Sequence, residues 1–225
     1  MSDRLTQWWR YARAHHVFGT VIGLLVIAAV EVAWADVELD LPAARQGGSI
    51  SVPLLVVIPI AFAAVVAASM HSHMQRLEQT ATHTLTTMTV IHTGSVLLVA
   101  TVLAYLAGAV AGSVSFGSQA SRDVLLWSGI AFAWGRVIGP RLSWTALLAA
   151  LFPMTYFGSD NLERARWWAV PLHPPTESQY WVISVGVLVL GAAIALLTPW
   201  HLHRLRQKAL PARDRKSRTL SATLR

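Results

Sequence analysis

Nine histidines are the side chains of this 225-residue sequence best suited to metal or redox chemistry. Neutral imidazole is a common metal ligand, and His71-x-His73 and His201-x-His203 could each contribute to a metal or haem site. Their placement favours a plainer role. His15, His16, His71, His73, His83, His92, His201 and His203 fall beside apolar segments on the side that the charge pattern makes the inner one, and His173 falls on the outer. An amphipathic ring sits well at a membrane interface, and few carboxylates lie near enough in sequence to complete a metal shell. No metal and no cofactor is expected. Cysteine is absent, which removes disulfides, thiolate metal sites and cysteine nucleophiles. The patterns G-x-S-x-G, H-E-x-x-H and G-x-x-x-x-G-K-[ST] are absent too. Gly112 to Ser118 has the glycine spacing of the last but not its lysine. The chain is therefore read as non-enzymatic, and any ATP hydrolysis belongs to a partner.

Three ionisable residues lie in apolar context: Glu31, His92 and Arg136. Charge inside a membrane is costly and marks function by default, so these are candidates for a pathway or gate. Glu31 and Arg136 also lie near segment ends, where snorkelling would accommodate them.

The elements that hold these residues follow from hydropathy. The sequence is 54% hydrophobic and 13% charged, about half the charge of a typical soluble domain. A spanning helix needs about 20 mostly apolar residues. Six segments qualify or come close: residues 17–35, 50–70, 88–111, 124–139, 142–157 and 180–200. The first is read as an anchor rather than a cleaved signal, because it is long and further apolar segments follow. The fourth and fifth are short and could instead form a re-entrant hairpin. Pro53 and Pro59 would kink the second segment, and Gly108-x-x-x-Gly112 permits close helix contact in the third.

Lys and Arg resist translocation, and their distribution orients the chain. With six spans and the N-terminus inside, 14 of the 18 lie on the inner side and only Arg45, Arg122, Arg164 and Arg166 on the outer. Tryptophans cluster near both boundaries, as amphipathic rings do at headgroup level. Residues 4–16 read as a surface helix, with Leu5, Trp8, Trp9 and Ala12 on one face and Arg4, Arg10 and Arg13 reaching headgroups. Residues 201–225 form a tail with eight Lys/Arg and one acid, Asp214. Without interleaved aromatics this tail suits anionic lipid rather than nucleic acid. The expected fold is thus an all-α polytopic membrane protein. It has about six transmembrane helices in one domain, both termini cytoplasmic and an N-terminal amphipathic surface helix. The expected location is the plasma membrane.

Residues 71–84 (HSHMQRLEQTATHT) form the longest inner loop. Met74, Leu77 and Ala81 fall at helical spacing, with Gln75, Arg76, Glu78 and Gln79 on other faces. This short amphipathic helix is either a solvated turn or a docking element for a soluble partner.

Taken together, the six segments, the inner termini, the surface helix and this loop resemble the membrane (permease) subunits of type-2 ABC exporters. The Ala/Arg/Val/Leu-rich style, with RWWAVPLHPP before the last segment, resembles actinobacterial examples. The resemblance implies that Met74, Gln75, Arg76, Leu77 and Glu78 belong to a coupling helix that touches a cytoplasmic P-loop ATPase. It implies that residues 161–175, anchored by Trp167 and Trp168, form an outer segment that dips back into the bilayer. It also implies a second permease subunit, identical or sibling, and an apolar or amphipathic cargo. Bending would occur at Pro53, Pro59 and the glycines of the third segment, and Glu31, His92 and Arg136 would line or gate the pathway. Two other readings fit the missing catalytic motifs: a non-transport binding, immunity or assembly subunit, and a haem- or metal-binding membrane redox protein.

Overall fold

The computed structural model describes residues 17–35, 37–42, 49–69, 83–139, 142–158 and 165–209. The expected surface helix (4–16), the docking loop including Met74, Gln75, Arg76, Leu77 and Glu78, and tail residues 210–225 lie outside the described residues.

The described chain is helical. Its helices are α1 (Val17–Ala33), α2 (Leu54–Ser69), α3 (His83–Ala111), α4 (Val114–Val137), α5 (Ser143–Phe157) and α6 (Ser178–Ala209). One short β-pair departs from the all-α expectation. Strands β1 (Glu38–Pro42) and β2 (Ser49–Pro53) are antiparallel, with Asp40 opposite Ser51, and join α1 to α2. Gly47-Gly48 between two short runs was the signal for this hairpin. Pro53 ends β2 rather than kinking a helix, whereas Pro59 lies inside α2, as expected. Without an N–H it cannot complete the i→i−4 ladder there.

Five helices begin within five residues of their expected starts, although α3 and α6 extend beyond their apolar stretches. The exception is α4, which begins at Val114, ten residues before the expected start. Ser113 caps it in an extended conformation and accepts a hydrogen bond from the Phe116 amide at 3.4 Å. Twelve of its 24 residues are buried, from Gly117 to Phe132. This helix is the centre of the fold and packs on α2, α3, α5 and α6. One core gathers Leu24, Phe62, Val66, Ala100, Ala104 and Val124 from α1 to α4. A second joins α2, α4 and α5 through Ala63, Trp127, Ala131 and Leu147.

Two close approaches set the helix spacing around α4. A Cβ on Gly108 would stand 3.0 Å from Gly117 Cα, so α3 and α4 nearly touch at their hairpin turn. Only Gly108 of the expected Gly108/Gly112 pair serves that contact, since Gly112 faces the Phe116 ring within the turn. Between α4 and α6, a Cβ on Gly129 would stand 2.6 Å from Leu188 Cα, and one on Gly191 would run into the Gly129 carbonyl. Ile138 caps the end of α4, and Gly139 follows it with a φ of +112° that suits glycine. Gly139→Ala is expected to cost about 1 kcal/mol through backbone strain alone, read as a small fall in the thermal unfolding midpoint.

The bundle wears its apolar surface outward. Phe18 is 82% exposed on α1, Val110 73% on α3 and Val182 72% on α6. By length and composition two helices, Val90–Ala111 and Ser178–Leu196, could cross a membrane.

Candidate functional site

Eight residues past the start of the helix expected to begin only at Val124, the sequence Arg122-Asp123 turns a nominal loop charge pair into the polar centre of the fold. Both side chains are fully buried. Arg122 lies about 12 Å along α4 from its start, at 1.5 Å per residue. A buried guanidinium must be paired and hydrogen-bonded to be tolerated. Its Nε donates to Asp123 Oδ1 at 3.0 Å, and Nη2 lies 3.0 Å from the same oxygen. Nη2 also donates to the Val170 carbonyl at 3.0 Å, and Nη1 to the carbonyls of His173 at 3.0 Å and Pro174 at 3.3 Å. One planar fork thus serves one carboxylate and three carbonyls, which a point-charge ammonium could not match.

Those carbonyls belong to the segment joining α5 to α6. There Val170–Leu172 forms a single 3-10 turn with Pro171 early in it. Ala169, Val170 and Pro171 are buried. Gln119, one turn before Arg122, donates to the Pro171 carbonyl at 2.8 Å. Val170 packs with Leu126 and Tyr180. The His173 ring stacks on Tyr180 with centroids 3.9 Å apart. His173 Nε2 lies 3.0 Å from the Arg166 carbonyl, which can only accept, so Nε2 is the donating nitrogen. Trp181 Nε1 donates to the Pro175 carbonyl at 3.2 Å, and the Arg166 amide to the Gly158 carbonyl at 2.8 Å. Residues 165–175 therefore form a strap folded back against α4 and fastened to the ends of α5 and α6.

No family model, curated protein or solved structure matches this chain.

The polar interior continues below the strap. Asp123 Oδ2, Trp127 Nε1 and the hydroxyls of Ser128 and Ser184 are buried without a hydrogen-bond partner among the described residues. Asp123 and Trp127 stand four apart and share a face of α4. Ser184 shares the buried face of α6 with Tyr180 and Gly191.

The residues singled out from sequence do not converge. Glu31 is fully buried near the end of α1. Pro59 is buried in α2. His92 is half-buried on α3. Arg136 is exposed in the last turn of α4, where a cation complements the helix dipole. In the strap Trp167 is 76% exposed and Trp168 half-buried, so the element that dips into the protein is Ala169–Pro171 just after the tryptophan pair. Among the described residues no three His, Asp or Glu side chains gather as a metal site would require. Sequence reasoning missed Arg122, Asp123, Gln119 and His173. Its available signal was the adjacent opposite charges beside an apolar run.

Proposed function

We propose that this chain is the membrane-spanning subunit of an ATP-driven exporter of the type-2 ABC kind, with ATP hydrolysis supplied by a separate P-loop ATPase. The observation that carries this reading is the strap. A segment between the fifth and sixth helices folds back against the core, where such subunits place their re-entrant outer element. Supporting it are six helices in the expected order. The two longest apolar windows are only 28% and 17% buried, unlike the core helices of a soluble protein.

In this reading all six helices cross the plasma membrane and both termini are cytoplasmic. Two permease subunits, identical or sibling, enclose a path for an apolar or amphipathic cargo. ATP binding closes the ATPases against Met74, Gln75, Arg76, Leu77 and Glu78. A ligand shifts a two-state protein only by its differential affinity, and here ATP-driven docking supplies the difference. Arg122 and the Gly129–Gly191 contact bind the strap, α4 and α6 into one unit, so movement of α6 carries the strap with it.

The test is purification of the full chain from its own membranes, followed by reconstitution with the ATPase that accompanies it. A P-loop ATPase whose turnover rises with the permease present, and falls about tenfold in the Arg76→Glu/Glu78→Lys variant, is expected; tenfold corresponds to about 1.4 kcal/mol of lost coupling. A chain that purifies without any such ATPase, and whose charge-reversed variant behaves as wild type in cells, rules the reading out.

A further inference from the structure

Glu31 is the buried acid that the fold leaves unexplained. Its spacing places it on the core stripe of α1. Leu24 is fully buried in the four-helix core, Ala28 packs against that core, and Glu31 follows Ala28 by three residues and Leu24 by seven. The side chain therefore points inward. The opposite face of α1 carries Ile22, Leu25 and Val26, about half exposed. Snorkelling, the bland account of an acid near a helix end, does not describe a side chain with no exposure.

Both Glu31 oxygens are without a hydrogen-bond partner among the described residues. α1 packs on α2 and α3, and the core it shares with them is apolar, with Leu24, Phe62, Val66 and Ala100 among its members. The other buried acid, Asp123, differs in this respect because Arg122 already occupies it. An ionised carboxylate in apolar surroundings costs several kcal/mol, so the group is held there either as the neutral acid or against a positive charge that takes the proton's place. Just beyond Glu31 the chain is closed over by the Leu54 amide, which donates to the Val37 carbonyl at 2.9 Å at the base of the hairpin.

We propose that Glu31 is the counter-ion of a binding site for lipophilic organic cations, an ammonium or phosphonium carried on an apolar body. The cation pairs with the carboxylate, and the body takes the place of apolar contacts between α1, α2 and α3. This deepens the exporter reading by naming its cargo class. It stands on binding alone, so its failure leaves the ATPase test untouched, and loss of the ATPase leaves it intact.

The experiment uses the full chain in lipid nanodiscs, titrated with tetraphenylphosphonium and with neutral triphenylphosphine oxide. Wild type is expected to bind the cation about tenfold or more tightly than the neutral probe, the least that a close buried charge pair contributes. Glu31→Gln should erase that preference while keeping the neutral probe's affinity, and Glu31→Asp should retain part of it. Equal affinities in wild type, or a preference that survives Glu31→Gln, overturns the proposal. An Arg45→Gln control addresses a partner within the chain. If Arg45→Gln and Glu31→Gln lower the unfolding midpoint alike and neither changes probe binding, the carboxylate belongs to Arg45 and the proposal fails.

Discussion

Arg122→Ala is expected to be the most damaging single substitution among the described residues. It removes three strap carbonyls' donor and leaves Asp123 buried with no counter-charge. Breaking a buried pair by removing one partner costs about 3–5 kcal/mol. Total stabilities are only about 5–15 kcal/mol, so the expected result is a large fall in folded yield on size exclusion and in the unfolding midpoint. Arg122→Lys should recover little, because an ammonium cannot reach the carboxylate and the separated carbonyls in one plane. The joint Arg122→Met/Asp123→Leu variant should be milder than Arg122→Ala, since no charge is stranded. A wild-type midpoint in Arg122→Ala would show that the strap is held by packing at Val170 and Tyr180 instead.

The second large effect is expected at the α4–α6 contact. Gly191→Leu places a side chain where the Gly129 carbonyl already stands. The obstacle is backbone, which cannot swing aside as a side-chain tip would, so the helices must separate. Overpacking of this kind costs about 1–3 kcal/mol, and more when backbone must shift. Separation would also open the contacts of Leu188 and Ala192 with the core. Gly186→Leu on the same helix is the control. Nothing lies within 4 Å of its added Cβ, and a surface change of this kind stays within about 0.5 kcal/mol. Equal midpoints for the two variants would contradict a tight α4–α6 seam.

The helices that were legible in sequence are those written as long apolar stretches. α1, α3 and α6 expose much of their surface, and such helices are written as continuous apolar runs. α4 was half legible because its first ten residues, Val114 to Asp123, are mostly small or polar and read as a loop. From Gly117 on, this stretch faces α3 and the strap, so Gln119 and Arg122 find partners within the protein. The same confusion placed Arg122 among loop charges. Arg136, expected near a segment end where it could snorkel, is exposed in the last turn of α4. The hairpin was missed because each strand is only five residues long.

The site was less legible than the fold. The re-entrant segment was expected around Trp167 and Trp168 because large aromatics signal an anchor. Trp167 is exposed and Trp168 half-buried, and it is Ala169–Pro171 beside them that is buried in the protein. Small residues and a proline let the backbone come close enough for its carbonyls to meet a guanidinium. No hydropathy argument weighs backbone carbonyls.

Composition and spacing by themselves determined where most helices lie, which faces of the chain are apolar, and that Glu31 sits in an apolar run. These are local sums over neighbouring residues, and burial does not alter them. Only the tertiary structure decided that Arg122 faces inward, that it grips carbonyls 48 to 52 positions away, and that Glu31 has its back to the open face of α1. Which partner a charge finds depends on chain folding across such distances. A charge in a sequence therefore carries its cost with it, while the group that meets the cost is chosen by packing.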